Sequence, residues 1–276
     1  MLFLCAHHIV DLYYWVDNKV GYPVDKKVGR PRDLTDTEIV TIIVWNAIVV
    51  RKKTLKDLHQ FILMYHKSDF PRLSKYSGFV AACHRALPFC FALLEDLLDI
   101  EAPVRIIDST MLPVCKPHRT DSHKVAKNIA KYGKNWQGWH YGFKLHASID
   151  LKGVLSGIAL TPANVYDAQM EHLLLNKNCR VAVGDTLYGA SVMRERMWRR
   201  YGTVIISPPF PKQKRKVATP WQNELLSQRS KIESVFDYLK EHMYLVTSFA
   251  RSVMGYLLHY VQTLLGYQIL ALSLRE

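Results

Sequence analysis

Arg229, Glu233 and Lys240 lie in a stretch whose apolar residues Leu225, Ile232, Val235, Phe236, Leu239 and Met243 recur at helical spacing. At about 100° per residue, the three charged side chains fall along one flank of that stripe. A carboxylate at the border of a buried face, with one cation a turn before it and another two turns after, suits a site holding a metal and an anion together. A surface ion pair between Arg229 and Glu233 would have the same spacing, so the stretch alone decides nothing. Two upstream acids change the balance. Asp108 ends the run Val104-Arg105-Ile106-Ile107-Asp108, and Asp185 ends Arg180-Val181-Ala182-Val183-Gly184-Asp185. In an α/β sheet the strand ends converge on a crevice, where such carboxylates can share one site. Three carboxylates held together repel one another, and a divalent cation reverses that. Hard oxygen ligands attract Mg²⁺ or Mn²⁺. Two such ions about 3.5–4 Å apart can activate a water or a 3′-hydroxyl and stabilise the leaving oxygen of an in-line attack on phosphorus. Any one of these acids by itself is equally a turn residue or a strand-end cap, and Asp150 and Asp167 are read that way. Asp185 stands out because Gly184 before it and Thr186-Leu187-Tyr188-Gly189 after it allow close backbone approach.

The elements that must position these residues follow from the pattern. Residues 1–20 are weakly helical. Lys26-Lys27-Val28-Gly29-Arg30-Pro31-Arg32 reads as a basic connector. Thr35-Asp36-Thr37-Glu38 is a capping box opening an almost wholly apolar helix over 39–50. Further helices are predicted over 54–65 and from 77 into the mid-90s, the second with a bend at Pro88. Residues 54–87 fit a helix-turn-helix or a plain helical bundle equally well. From Pro103 the pattern becomes alternating β and α. A strand over 104–108 precedes a basic loop over 116–134. A strand over 141–150 turns back at Asp150-Leu151-Lys152-Gly153 into a strand over 154–161. Strands over 180–185 and 203–207 flank a helix over 190–200. The Pro- and Lys-rich loop 208–220 leads to the opening stretch, and an apolar helix over 253–274 follows. The fold class is mixed α/β, with a helical N-terminal region over 1–102 and a second domain over 103–276.

The formal net charge of +13 points to a polyanionic partner, nucleic acid before an anionic membrane. Lys124, Lys127, Lys131 and Lys134 are candidate phosphate contacts, with Trp136 among the aromatic residues interleaved with them. His140, Lys144 and His146 share one strand face, and either substrate contact or a structural role suits them. Each lysine alone also fits ordinary solvated surface. Cys5, Cys83, Cys90, Cys115 and Cys179 are odd in number and scattered, which argues for a reducing compartment and against a disulfide framework or zinc ribbon. The 253–274 segment is long enough to span a bilayer, but His259, Gln262, Thr263, Gln268 and Ser273 favour a buried helix, so no membrane partner is expected.

The blocks Ile107-Asp108-Ser109, Trp139 to His146, Thr161 to Asp167, Gly184 to Gly189 and Arg229 to Phe236 occur in that order. On them the chain resembles bacterial insertion-sequence transposases of the DDE class, most closely insertion-sequence family 982. The resemblance implies a ribonuclease H-like core and makes Asp108, Asp185 and Glu233 the catalytic, metal-binding triad, with Mg²⁺ or Mn²⁺, two ions, as cofactor. It implies double-stranded DNA as partner, both the terminal inverted repeats and the target. It also implies a homodimer or higher assembly on DNA, and a bacterial cytoplasmic, nucleoid-associated location. Related transposases carry tyrosine, two residues, arginine, three residues, glutamate, six residues, lysine. Arg229, Glu233 and Lys240 fit that spacing as phosphate-holding groups, but Leu226 stands at the tyrosine position. That departure leaves open a catalytically decayed or domesticated DNA-binding protein, and the fold leaves open a ribonuclease H-like nuclease.

Overall fold

The computed structural model describes residues 8–20, 32–209 and 218–274. The basic connector over 26–31, Cys5 and the loop residues 210–217 lie outside them. The chain divides into two compact units, one made of residues 1–97, 243–245 and 249–276, the other of 98–242 and 246–248.

In the first unit, helix α1 (Ile9–Val20) packs on α2 (Asp36–Trp45). Both halves of the capping box form at Thr35: the Glu38 amide donates to Thr35 Oγ1 at 3.1 Å, and the Thr35 amide donates to Glu38 Oε2 at 2.6 Å. α2 buries every residue from Ile39 to Trp45, then widens into a π-helical turn, Asn46–Val50, closed by Arg51 at φ 54°. Helix α3 (Leu55–Tyr65) is capped by Thr54, and α4 (Tyr76–Leu97) carries Pro88 inside it.

The second unit holds a mixed sheet. Among the described residues its strands are β1 (Val104–Cys115), β2 (Lys131–Asn135), β3 (Gly138–Ile149), β4 (Leu155–Pro162), β5 (Val181–Val183) and β6 (Val204–Ile206). They lie in the order β2-β3-β1-β5-β6, with β4 also pairing β3. β3 is antiparallel to β1, β2 and β4, whereas β1, β5 and β6 run parallel. β1 is far longer than the expected 104–108. Its extension is paired closely at Gly142 on β3, where a Cβ would lie only 2.2 Å from Leu112 O. The expected loop 116–134 also ends in a strand, β2. Short helix α5 (Glu171–Leu174) and α6 (Ser191–Tyr201) supply Leu174, Met193 and Met197 to a core with Ile107, Ala182, Tyr188 and Ile205.

The stretch predicted as one helix around Glu233 is two. α7 (Pro220–Ser227) ends at Gln228, and α8 (Ser230–Asp237) begins after Arg229. At the joint the amides of Gln228, Arg229, Lys231 and Ile232 bond three residues back rather than four. Ser227 and Ser230 turn their hydroxyls onto backbone carbonyls there, a habit that bends helices. The stripe is nevertheless inside: Leu225, Ile232, Val235, Phe236, Leu239 and Met243 are all buried. α8 packs on β1 and runs into a second π-helical turn, Tyr238–His242.

The chain ends in α9 (Val253–Ser273), which packs on α2 and α4 within the first unit. Gln262, Thr263 and Gln268 are buried in it, and Gln268 Nε2 donates to Leu97 O at 2.6 Å. Among the described residues α4 alone is long and apolar enough to cross a membrane by length and composition. The mixed sheet with helices packed against it is the ribonuclease H-like arrangement.

Candidate active site

Asp108 and Asp185 come from neighbouring parallel strands. β1 and β5 pair with Ile106 opposite Val183, so each acid lies two residues beyond that pair. Asp108 accepts from the Ser109 amide at 2.8 Å. Burial, reinforced by Asp185 and Asp167, pushes its carboxyl up to about 6 against the opposing pull of the Ser109 amide and Arg229. Asp185 caps the turn Thr186–Gly189, accepting from the amides of Leu187 at 2.9 Å and Tyr188 at 3.3 Å. Its carboxyl is also raised, by burial first and then by Asp167, and again Arg229 opposes the shift. Gly184 serves this turn: a Cβ there would lie 2.8 Å from the Tyr188 ring.

Arg229 is the common neighbour. It lies within electrostatic reach of Asp108 and Asp185, and its Nη2 donates to Glu233 Oε1 at 2.8 Å. Lys240 sits in the π-helical turn after α8; burial lowers it, while Asp237, Glu241 and Asp108 hold it charged. Arg229 thus senses both Asp108 and Asp185, Lys240 senses Asp108, and Glu233 is tied to the group through Arg229. Leu226, at the tyrosine position, is half-buried on α7.

Among the described residues no group of three or more His, Cys, Asp or Glu side chains is close enough to hold a metal ion. The donor chemistry still fits a hard divalent cation. Asp108 and Asp185 offer oxygen and are disfavoured as anions by burial, which a cation would relieve. Glu233 spends one oxygen on Arg229 and is half-exposed.

The remaining sequence candidates separate by burial. Lys124, Lys127, Lys131, Lys134 and Trp136 are exposed. Lys144 is 8 % exposed, and its Nζ donates to Val165 O and Asp167 Oδ1, both at 2.9 Å. His146 is fully buried, with Nε2 2.9 Å from Thr161 Oγ1 and Nδ1 3.5 Å from Asp167 Oδ1. Burial lowers it to about 4, so it is neutral at pH 7. His140 donates from Nε2 to Asn135 Oδ1 at 2.9 Å.

Residues 100–253, more than half of the chain, match the family described as a transposase DDE domain. The chain belongs to that family. It is therefore an enzyme of the nuclease and transposase kind, acting in DNA recombination and transposition. No curated protein matches it.

In this DDE-family chain, sequence reasoning missed Asp167. Asp150 is the turn cap it was read as, accepting from the amides of Lys152 and Val154. Asp167 is not confined to that role, since it lies near Asp108 and Asp185 while paired to Lys144 and His146. The signal was present in the equal parity of Lys144 and His146 on one strand, a cation and an imidazole facing one side and in need of a polar partner. Tyr188 was also missed. It is 1 % exposed, its hydroxyl has no hydrogen-bond partner among the described residues, and Asp167, Asp108 and Asp185 all lie near it.

Proposed function

We propose that this enzyme is a transposase of the insertion-sequence 982 type, which cuts phosphodiester bonds at the inverted-repeat ends of its own element and joins the freed 3′-hydroxyls to target DNA. The observation that carries the reading is the placement of Asp108 and Asp185 at matching positions on adjacent parallel strands, beside the Arg229 that also binds Glu233. Asp108, Asp185 and Glu233 would hold Mg²⁺ or Mn²⁺. Two such ions supply activation of the attacking water or hydroxyl and stabilisation of the leaving oxygen.

The chain's own groups have separable roles. Arg229 presents a planar fork to a phosphate and Lys240 a point charge. Once Arg229 turns to the phosphate, Glu233 is released to face Asp108 and Asp185. Asp167, paired with Lys144, fixes the loop after β4 beside the two acids. The exposed lysines of 124–134 hold the flanking backbone of duplex DNA, the helical N-terminal region serves DNA binding and assembly, and the active species is a dimer or larger on two element ends.

The test is cleavage and strand transfer on DNA carrying the inverted repeats that flank the coding region, with and without Mg²⁺. Asp108→Ala, Asp185→Ala and Glu233→Ala should each cut at least a hundredfold more slowly, and chelation should abolish the wild-type reaction. A triple variant that cuts at the wild-type rate would refute the assignment. The apo protein should also gain thermal stability on adding Mg²⁺, and Asp108→Asn should lose most of that gain.

A further inference from the structure

The most exposed large apolar side chain among the described residues is Trp136, at 91 %. It stands at the tip of the hairpin in which Asn135 pairs with Gly138, so only Trp136 and Gln137 form the turn. The tip is fixed. Asn135 Oδ1 accepts from the Gln137 amide and from His140 Nε2, each at 2.9 Å, and Gly138 takes φ +116°, a conformation that suits glycine. An indole held in solvent by a braced turn is not filling a core. Behind it, Trp139 and Tyr132 are also exposed and meet edge to face, with Lys134 Nζ 5.7 Å from the Trp139 ring centre.

Charge identifies the partner. Residues 122–149 contain no aspartate or glutamate, while Lys124, Lys127, Lys131 and Lys134 are exposed along the approach to the tip. A ring face set among phosphate-seeking cations suits a nucleobase, and a base can offer its face only when it has left the duplex stack. The tip stands away from the acids: β3 runs from Gly138 at the turn to Ala147 opposite Asp108, about 30 Å of strand at about 3.3 Å per residue, so the DNA it meets flanks the reacting phosphate.

We infer that the β2–β3 hairpin is a base-stacking element, in which Trp136 takes the face of a nucleobase that has left the stack of the DNA bound along the exposed lysines of 124–134. The inference rests on the transposase reading and adds a substrate feature to it: an unstacked base in the DNA flanking the cut.

The probe is a mixed-sequence duplex with a short unpaired bubble containing 2-aminopurine, compared with the same duplex fully paired. Binding of the full chain is measured by anisotropy without divalent metal, and stacking by 2-aminopurine quenching. Wild type should prefer the bubble and quench it. Trp136→Ala should lower the bubble-to-paired affinity ratio about tenfold and lose the quench, as expected for one stacked base. Trp136→Phe, which keeps a ring, should restore most of both. An unchanged ratio in Trp136→Ala, or a wild type that binds both DNAs alike, overturns the hairpin's role and leaves the transposase reading standing. A wild type that binds neither DNA overturns both.

Discussion

At the scale of single residues, the second unit holds two titrating groups whose effects oppose. Asp108 is raised from 3.8 to about 6, so its folded form prefers the proton. Stability from this group is fully present below pH 3.8 and is lost as pH rises through about 6. His146 is lowered from 6.5 to about 4, so its folded form prefers to be neutral. Its contribution is present above pH 6.5 and is lost as pH falls through about 4. Each shift corresponds to about 3 kcal/mol at 1.36 kcal/mol per pH unit. The two nearly cancel between pH 4 and 6.5 in the wild type without metal. Asp108→Asn removes one side of the balance. Its unfolding free energy, from urea titration, should rise by about 3 kcal/mol more than the wild type's between pH 4 and pH 6.5. A profile parallel to the wild type's would mean that Asp108 titrates as an ordinary surface acid. The same reasoning explains why a cation should stabilise the protein most near pH 7, where Asp108 is ionised in spite of its burial.

At the scale of elements, the caps and turns are the features that follow most directly from local sequence. Thr35-Asp36-Thr37-Glu38 forms both bonds of its box. Thr35→Ala should therefore lower stability by about 1 kcal/mol in urea unfolding, while Thr35→Ser should retain most of it. The starts of the strands before Asp108 and Asp185, and the hairpin turning at Asp150, were equally legible, because apolar runs and turn chemistry are properties of neighbours in sequence, although β1 continues past Asp108 to Cys115 and β5 stops at Val183. What was not legible depended on distant partners. Nothing in Ser109 to Cys115 says that β3 will extend β1 as far as Cys115; Gly142, on the other strand, permits it. The break at Gln228-Arg229 preserves the apolar stripe, so periodicity could not show it, and only the two serines hinted at it. α9 is apolar nearly all round, and its own pattern could not name α2 and α4 as its neighbours. Arg105 is the sharpest case. Its guanidinium is 1 % exposed and donates to Ala102 O, Leu174 O, Ile100 O and Asn176 Oδ1. A basic residue in a strand beside the site reads as a phosphate contact, yet this one pins backbone carbonyls around the start of β1. The sequence singled out Asp108, Asp185 and the Arg229–Glu233–Lys240 flank; the fold carries Asp108 inside β1, Asp185 two residues past β5, Arg229 at the joint before α8 and Lys240 in the π-helical turn after it. Asp167 was hidden in a turn whose neighbours only the fold supplies.

At the scale of the whole molecule, charge governs how the acids meet DNA. A chain with a formal net charge of +13 attracts duplex DNA, yet the site beneath Arg229 and Lys240 gathers Asp108, Asp185 and Asp167. On the proposed function the two signs have different tasks: exposed cations would bring the backbone in, and the acids would repel it unless a cation intervenes. Binding without metal should therefore be mainly counterion release from phosphates, with log Kobs falling linearly in log salt by about 0.9 per phosphate neutralised. Lys124, Lys127, Lys131 and Lys134 are exposed, and none of them is needed to build the sheet core. Replacing any two with alanine should weaken duplex binding about equally across sequences and reduce the slope by about 2. Replacing the buried Lys144 should instead register as lost stability, because it would leave Asp167 without its nearest cation and leave the slope nearly unchanged. Anisotropy titrations between 50 and 200 mM salt, which span roughly three to five decades of affinity for a protein making six to ten phosphate contacts, resolve the difference. If the double-lysine variants kept the wild-type slope, the polyanion would have to be held elsewhere on the chain, and the 124–134 tract would be ordinary solvated surface.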